Sequence, residues 1–471
     1  MLFNPVDQEV LEELARIVGK NNVCVDRERL LAFSRDETPP ERYQHLPEVI
    51  VTPSKAAEVA QILRYASRRR IPVTPRGAGS GLSGGAIPCH GGIALSCERM
   101  NRILEIDEIN MVAVVEPGVV TNELNREVEK RGLFFAGYPM SLETCFIGGN
   151  IAENAGGGRA VKYGVTGRYI LGLELVTPTG DILNLGGKRV KDVSGYDLKS
   201  LVIGSEGTLG IITRAVVKLL PLPTAKVDLL VLFREVKEAI EMVPRIMTEL
   251  RVIPTSVEFM DEVAFTVSCR YINENLPYGE AGAMLLVEMD GTDLERVELE
   301  AEEVGERMLE GGAIEVYVAD NYTTQERIWS VRRSIAEALM VESPHQSLED
   351  IVVPVSAIPE LIVHLRRLSD TYNISIPCYG HAGDGNLHAT LVKNPHMSME
   401  EWYRVQDAAL DDLYHVVKEL GGALSGEHGI GLKRCSFFER ICDPAELALM
   451  RRIKRVFDPA GIMNPGKIFC A

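Results

Sequence analysis

The spacing of hydrophobic residues predicts alternating strands and helices in the first part of the chain. Residues 7–20 carry apolar side chains at helical spacing, and another helix follows the short apolar strand Val49–Val51. Ser54 is expected to cap this helix, and Arg68–Arg70 close it, where cations suit the negative end of the helix dipole. These elements predict an α/β unit.

The later part of the chain has longer helices, and the change falls at Pro221–Pro223. Before it, 173–176 and 182–185 flank Pro178–Asp181 and predict a hairpin. The second part is predicted to be an antiparallel sheet covered by helices, so the fold class is α+β. The predicted strands are 71–73, 112–115, 173–176, 182–185, 211–217, 227–233, 283–289, 313–318, 350–355 and 374–379, with helices near 121–130 and at 235–249, 293–309, 323–340, 357–371 and 398–419.

Three glycine-rich stretches, Pro75–Gly85, Gly148–Gly158 and Gly204–Gly210, have too many glycines to be expected to pack as regular elements. Glycine lets backbone N–H groups approach an anion, because no Cβ intervenes. The first stretch matches the Rossmann spacing, but residues 86–92 contain Pro and paired Gly and are not expected to start the helix which that motif requires. A phosphate-cradling loop remains, with a flexible surface loop as the alternative. The three stretches together favour one large phosphate-bearing ligand.

Composition narrows the class of protein. The chain has 471 residues, enough for two or three domains, and a formal net charge of −17, which disfavours nucleic acid and anionic lipid as partners. No apolar run reaches the roughly 18 residues of a membrane span, and the N-terminus lacks a signal-peptide pattern. Nine scattered cysteines without a C-x-x-C pair predict reduced thiols in the cytoplasm and no iron–sulfur cluster.

Two histidines in a glycine-rich segment are candidates for metal binding. His381 and His388 are seven residues apart, which on an unbroken strand would place them on opposite faces, but the turn at Gly383–Asn386 can fold them together. Glu427 and His428 lie in another glycine-rich stretch. Two imidazoles and a carboxylate form a workable divalent metal site. The alternative is that the histidines are incidental, since this spacing alone is a weak signal.

Several long motifs carry a family resemblance. Pro75–Gly85, Pro139–Asn150, Gly195–Leu198 and Ile203–Ile212 together resemble the FAD-binding domain of the vanillyl-alcohol oxidase superfamily. The chain is most similar to the branch of the glycolate oxidase catalytic subunit and D-lactate dehydrogenase, from about Pro47 onward. The resemblance implies a two-part FAD-binding domain of the p-cresol methylhydroxylase (PCMH) type over 1–222. It further implies an antiparallel-sheet α+β cap, or substrate domain, over 223–422, and a segment over 423–471 that returns to the FAD domain.

The resemblance also implies the residues that bind the cofactor. Relatives that attach FAD covalently use a histidine near the position of Ser80, so this chain is expected to hold FAD without a covalent bond. The implied cofactor-binding residues are Arg76, Gly77, Ala78, Gly79, Ser80, Gly81, Leu82, Pro139, Ser141, Thr144, Gly148, Gly149, Asn150, Asn154, Gly156, Gly157, Tyr163, Glu206, Gly207, Gly210, Ile211 and Asn464.

By the same resemblance, His381, His388 and Glu427 are ligands of a divalent metal (Zn, Fe or Mn), and His428 is the catalytic base. A metal lowers the pKa of a bound hydroxyl, so that a histidine can accept its proton. The first arginine after a Trp-x-x spacing, Arg332, is the implied partner of the substrate carboxylate. The alternative is that Arg332 and its neighbour form surface ion pairs.

The implied reaction is dehydrogenation of a small (R)-2-hydroxy acid, D-lactate or glycolate, with hydride passing to the flavin N5. Ala336 has no hydroxyl, and 348–354 has no lysine, where 2-hydroxyglutarate enzymes carry these groups. Both departures disfavour a substrate with a second carboxylate.

The expected electron acceptor is a partner, either an electron-transferring flavoprotein or an iron–sulfur subunit, and the protein is expected in the cytoplasm, peripheral to a membrane only through that partner. Two alternatives stay open. One is an FAD oxidase that uses oxygen directly or acts on an alkyl ether-type substrate. The other is a flavin-binding electron-relay or structural subunit without its own substrate.

Overall fold

The computed structural model describes residues 3–276 and 279–470. The chain forms two compact units. The first unit comprises Met1–Gly156, Val165–Leu222 and Glu427–Ala471, and the second comprises Gly157–Gly164 and Pro223–Gly426. The last segment of the chain is therefore part of the first unit.

The first unit contains two larger sheets. One has the order β1-β2-β4-β3, with β2 and β3 parallel to β4, and the other is antiparallel with the order β5-β6-β10-β8-β9. A two-stranded ladder joins β7 to β11. The strands are β1 Val23–Cys24, β2 Val49–Val51, β3 Val73–Arg76, β4 Ile93–Ser96, β5 Ile103–Asp107, β6 Val112–Val115, β7 Leu133–Phe134, β8 Ile170–Val176, β9 Ile182–Gly186, β10 Ile211–Lys218 and β11 Leu220–Pro221.

The second unit is built on one sheet of seven antiparallel strands in the order β15-β12-β14-β13-β17-β18-β16. Since successive side chains point to opposite faces of the sheet, the side chains of each strand form two rows, one on each face. The strands are β12 Ala225–Phe233, β13 Ser256–Asp261, β14 Ala283–Gly291, β15 Glu315–Ala319, β16 Gln346–Val352, β17 Cys378–His381 and β18 Asn386–Val392.

Sixteen α-helices accompany these sheets among the described residues. They are α1 Gln8–Val18, α2 Arg27–Ala32, α3 Pro40–Tyr43, α4 Ala56–Arg69, α5 Thr121–Glu129, α6 Ile147–Glu153, α7 Ala160–Tyr163, α8 Leu198–Val202, α9 Val236–Thr248, α10 Glu262–Tyr271, α11 Leu294–Glu310, α12 Tyr322–Glu342, α13 Ile358–Tyr372, α14 Met399–Glu419, α15 Cys435–Ile441 and α16 Pro444–Phe457. No helix in the described part of the chain is both long and apolar enough to cross a membrane.

The two faces of the seven-stranded sheet differ in chemistry. Helix α11 packs on the face that carries Leu229, close to Gly305. The opposite face carries buried polar side chains, and α12 lies over it, because Trp329 donates to Asp228 and Arg332 donates to Glu258. We call this opposite face the polar face of the sheet.

Most predicted elements are confirmed, including the α+β class and the hairpin of β8 and β9. Ser54 as a cap is wrong: Lys55 precedes α4, and the Ser54 hydroxyl contacts Glu58 instead. The predicted strands 350–355 and 374–379 are shifted in position, to β16 and β17. Pro354, which has no N–H to donate, follows the end of β16.

The expectation that Gly148–Gly158 forms no packed element is also wrong, because α6 begins at Ile147. A Cβ at Gly148 would lie 2.5 Å from the Cβ of Pro117, so glycine is what lets this helix pack closely. Strands β13 and β18 and helices α10, α15 and α16 were not predicted. Buried polar residues interrupt the hydrophobic pattern of both strands.

Candidate active site

In the first unit, the loop after β3 is shaped by Arg76. Its buried guanidinium donates to the carbonyls of Arg35 (2.8 Å) and Ala32 (3.2 Å) and lies 4.8 Å from the centroid of the Phe33 ring. Gly79 has φ +80°, and a Cβ there would collide with this guanidinium. The interior contacts of Arg76 therefore fix the loop and leave its backbone to make other contacts.

Two of the glycine-rich stretches lie side by side. A Cβ on Gly77 would be 3.7 Å from the Cβ of Phe146 and 3.8 Å from the backbone of Gly149. A Cβ on Gly149 would face open space. This is a backbone surface to which a phosphate or a flavin ring can come close, so the residues fit the cofactor that the sequence predicts.

Two side chains, Glu206 and Asn464, join the third glycine-rich stretch to the first stretch and to the last segment of the chain. The Glu206 carboxylate accepts from the backbone N–H groups of Ile430 (2.7 Å) and Gly431 (2.6 Å). The Asn464 amide donates to the carbonyls of Gly85 (3.0 Å) and Glu206 (2.7 Å). These bonds join the first and third glycine-rich stretches to the last segment of the chain.

A second buried carboxylate lies beside Glu206. Burial, and then the charges of Glu206 and Asp36, hold the pKa of Glu153 well above its usual range. Asp36 in turn accepts from the N–H of Gly84 (2.8 Å) and from the hydroxyl of Thr38 (2.6 Å). Sequence reasoning missed both Glu153 and Asp36, although Glu153 is an acid between two glycine clusters.

The other predicted cofactor residues divide between the two units. Gly157 and Tyr163 belong to the second unit, where the Tyr163 hydroxyl donates to Asp290 (2.9 Å), and the rest belong to the first. Asn150 donates to the hydroxyl of Thr121 (2.8 Å), and Asn154 accepts from the N–H of Gly167 (2.8 Å).

In the second unit, the two histidines come together as the turn predicts. β17 and β18 form a hairpin, and the rings of His381 and His388 lie 5.6 Å apart between centroids. His388 is directly opposite Asp350 on β16 and opposite Tyr379 on β17. All four side chains are buried and lie on the polar face.

Glu258, which sequence reasoning missed, links His381 to Arg332. Its carboxylate lies 2.7 Å from the Nδ1 of His381 and accepts from the Nε of Arg332 at 2.7 Å. Burial raises the pKa of Glu258, but the nearby His381 and Arg332 outweigh that effect and lower it to about 2. An acidic residue between the apolar side chains of Val257 and Phe259 was the signal that could have revealed this site.

The carboxylate Asp350 anchors the chain that leads to Glu427. It accepts from the amide of Asn386 (2.6 Å), the hydroxyl of Ser425 (2.5 Å) and the N–H of Gly426 (3.0 Å). Glu427 is the next residue along the chain.

In the first unit, a Cβ on Gly156 would lie 3.4 Å from the Cβ of Glu427. The Oε1 of Glu427 is 3.5 Å from the Nε2 of His428. In the second unit, a Cβ on Gly158 would lie 2.4 Å from the Oε1 of Glu258. Gly156 therefore packs against a predicted metal ligand, and Gly158 packs against Glu258.

The two arginines of α12 have different environments. Arg332 is 3% exposed and pairs with Glu258, with its guanidinium 5.1 Å from the Tyr379 ring centroid. Arg333 is exposed and pairs with Glu326. Ala336 is also exposed, so its missing hydroxyl no longer supports the argument for a small substrate.

Two family profiles cover most of the chain. Residues 47–186 match the FAD binding domain, and residues 222–468 match the C-terminal domain of FAD linked oxidases. The chain is 40% identical over 464 residues to glycolate oxidase subunit GlcD of Bacillus subtilis (strain 168), covering 98% of this chain and 97% of that protein. It is 36% identical over 471 residues to D-lactate dehydrogenase of Anaerostipes hadrus, covering 99% and 98%.

Solved structures share the fold at lower identity. p-Cresol methylhydroxylase with substrate bound superposes with a TM-score of 0.81 at 19% identity, over 100% of this chain and 98% of that chain. This likeness confirms the PCMH-type architecture. The matched profiles, the identity to these relatives over almost the whole chain, and the glycine surface of the first unit lead to one conclusion: the chain belongs to the FAD-linked oxidase family and is an FAD-dependent oxidoreductase.

Proposed function

We propose that this protein dehydrogenates a small (R)-2-hydroxy acid, D-lactate or glycolate, to the corresponding 2-oxo acid. The observation that carries the proposal is the buried cluster of His381, Glu258 and Arg332 beside His388. It combines metal-ligand chemistry with a cation suited to a carboxylate. The names of the relatives from B. subtilis and A. hadrus agree with this substrate class.

His381, His388 and Glu427 are the proposed ligands of a divalent metal, which supplies positive charge that eases loss of the substrate's hydroxyl proton. Glu258 supports this proposal. A metal-binding histidine usually donates the N–H of its second ring nitrogen to a carboxylate or a similar acceptor, which fixes the orientation of the ring. With Nδ1 held by Glu258, the Nε2 of His381 is the ligand atom. Asp350 is a carboxylate, like Glu427, and is a further ligand candidate.

His428 is the proposed base that accepts the hydroxyl proton, and FAD supplies the hydride acceptor at its N5 atom when bound. Arg332 is the proposed partner of the substrate carboxylate. A guanidinium has five N–H donors, so the bond to Glu258 leaves others for a substrate. Glu258 fixes the plane of this guanidinium and so orients the substrate.

The proposed FAD is not covalently attached, and electrons pass to a partner protein, an electron-transferring flavoprotein or an iron–sulfur subunit. Ser80, in the first glycine-rich stretch, has an alcohol where covalent attachment needs an imidazole. Acid precipitation tests this directly, because all the flavin should then remain in the supernatant. Yellow colour in the washed pellet would contradict non-covalent binding.

The deciding experiment records flavin absorbance under anaerobic conditions before and after addition of D-lactate, L-lactate, glycolate or D-2-hydroxyglutarate. We expect bleaching by D-lactate or glycolate, and we expect prior treatment with a chelator to abolish it. A flavin-loaded protein that none of these acids bleaches would refute the substrate class and favour an electron-relay subunit. Bleaching that survives metal removal would refute the proposed role of the metal and leave the substrate class in place.

A matched pair of variants tests the base. His428→Ala should keep its flavin and lose substrate bleaching by a factor of about 100 or more, in the range of general-base removal. His415→Ala, an exposed histidine on α14, is the control and should behave as the wild type. Mixing the reduced enzyme with air then separates a dehydrogenase, which reoxidises slowly, from an oxygen-using oxidase, which reoxidises fast and releases peroxide.

A further inference from the structure

Two cysteines of the last segment, 35 positions apart in the sequence, meet in the first unit. The Sγ atoms of Cys435, the first residue of α15, and of Cys470 lie 2.7 Å apart as free thiols. A disulfide bond is about 2.05 Å long, so the sulfurs need to approach by roughly 0.7 Å to form one.

We propose that Cys435 and Cys470 are a redox-responsive pair that forms an intramolecular disulfide by exchange with a low-molecular-weight disulfide. The thiolate of one cysteine attacks the external disulfide, releases one small thiolate and leaves a mixed disulfide. The second cysteine then attacks the protein sulfur of that mixed disulfide and releases the other small thiolate. Two protein thiols are oxidised, one external disulfide is reduced to two thiols, and the two protons pass to the leaving thiolates.

The environments of the two thiols assign the order of attack. Cys470 is partly exposed, and Cys435 is buried. Burial, and then the contact with Cys470, raises the pKa of the Cys435 thiol far above its usual range. Cys470 is therefore the thiol that meets the external disulfide, and Cys435 is the one that resolves it. Because the resolving thiolate is scarce at neutral pH, formation of the bond should accelerate as the pH rises.

The bond would join two segments that hold the same glycine-rich stretch. On the Cys435 side, Lys433 N–H donates to the carbonyl of Ser83 (2.9 Å). On the Cys470 side, the Asn464 amide donates to the carbonyl of Gly85 at the end of this stretch, and the Lys467 ammonium donates to the carbonyl of Ile87 (2.6 Å), two residues beyond it. Oxidation would close a covalent ring over residues 435–470 and so stabilise the hydrogen bonds on both sides at once. Given that this stretch binds the flavin, the oxidised protein should release FAD more slowly.

Peptide mapping of the flavin-loaded protein tests the bond. The protein is treated with oxidised glutathione at pH 8, alkylated without reduction and digested with trypsin. We expect one cross-linked species made of Cys435–Arg440 and Ile468–Ala471, lighter by two hydrogen atoms than the sum of the two peptides. Full alkylation of both cysteines after prolonged treatment, or stable glutathione on Cys470, would overturn the proposal.

Three variants complete the test. Cys435→Ser should leave a persistent mixed disulfide on Cys470, and Cys470→Ser should leave Cys435 unmodified. Cys442→Ser, which removes a nearby thiol that faces Glu446, should still form the cross-link and is the matched control. Loss of the cross-link in Cys442→Ser would also contradict the pairing.

Flavin fluorescence on dilution measures the consequence. Oxidised wild type should release FAD several-fold more slowly than reduced wild type, and Cys470→Ser should show no difference between the two conditions. Equal release from cross-linked and reduced wild type would refute the effect on flavin retention, whereas the peptide map decides the disulfide separately.

Discussion

At the scale of single residues, Glu258 connects two of the proposed site residues, Arg332 and His381. It is fully buried, yet it is charged, because Arg332 and His381 both contact it. Breaking a buried pair by removing one partner leaves the other charge uncompensated, which costs about 3–5 kcal/mol. The cluster is therefore sensitive to any change at this one position.

The first prediction concerns this charge. Glu258→Gln keeps the shape of the side chain but removes the negative charge, so we expect a loss of about 3 kcal/mol in unfolding free energy and at least a tenfold loss of turnover. Chemical denaturation and substrate bleaching measure the two effects. Glu326→Gln, which removes the exposed partner of Arg333, is the control and should change stability by less than about 1 kcal/mol. Equal effects of the two variants would contradict a special role for Glu258.

The second prediction concerns Gly149, whose missing side chain faces open space within α6. Gly149→Ala should stabilise the flavin-free protein by up to about 1 kcal/mol, since alanine favours a helix, and should weaken FAD binding, because its methyl group enters the ligand surface. Thermal unfolding and flavin titration measure these opposite changes. Gly305→Ala on α11, at a site with ordinary contact distances, should leave flavin affinity unchanged. Unaltered FAD affinity in Gly149→Ala would show that the flavin lies elsewhere.

At the scale of elements, the polar face of the seven-stranded sheet carries a second cluster of buried ionisable side chains. Asp228 on β12 and Glu288 on β14 lie directly opposite each other, with Lys226 within 3.2 Å and 2.7 Å of them. Burial, and then the charge of Glu288, raises the pKa of Asp228 to about 7. The folded protein thus holds a proton that the unfolded chain loses near pH 3.8.

The third prediction follows from the sign of that shift. The stability from a raised carboxyl pKa is full below about pH 4 and is lost as the pH rises through about 7. Asp228→Asn should remove this loss, so its stability relative to wild type should improve between pH 5 and pH 8 by on the order of 2–3 kcal/mol. Denaturation at both pH values measures it. Parallel pH profiles for the two proteins would place the titrating proton on another group.

At the scale of the whole molecule, the chain closes on itself within the first unit. Asn464 bonds to Gly85 across 379 positions of sequence, and the N–H of Asn464 also donates to the carbonyl of Val73 (2.8 Å). These hydrogen bonds use a residue near the end of the sequence to hold segments near its start. The final segment is consequently part of the first unit, which we propose binds the flavin.

The fourth prediction tests this closure. Asn464 has φ +42°, which glycine also accepts, so Asn464→Gly keeps the backbone and removes only the amide. The buried carbonyls of Gly85 and Glu206 lose their donor, at a cost of about 1–3 kcal/mol, and FAD should dissociate faster. Asn373→Gly, at the left-handed residue that ends α13, should change stability by only a few tenths of a kcal/mol. Flavin release as slow as wild type in Asn464→Gly would remove Asn464 from the cofactor site.

Features that depend on local chemistry could be predicted from the sequence. Glycine clusters allow close approach to the backbone, and the short turn between His381 and His388 is enough to predict that the two histidines come together. Amphipathic periodicity likewise predicted α12, since a helix with one apolar side must bury it. The family resemblance added the cofactor and the fold to these local inferences.

Which charges are buried, and beside which partners, depends on the fold and could not be predicted from the sequence. Arg332 and Arg333 are adjacent and chemically identical, but only the first faces β13, where Glu258 balances it. Helix α6 forms despite the weak helix propensity of its glycines, and its close packing on Pro117 leaves no room for a Cβ at Gly148. The physical reason is common to both cases: the energy of a buried charge or of a close contact depends on a neighbour that is distant in the sequence, and no local pattern encodes that neighbour.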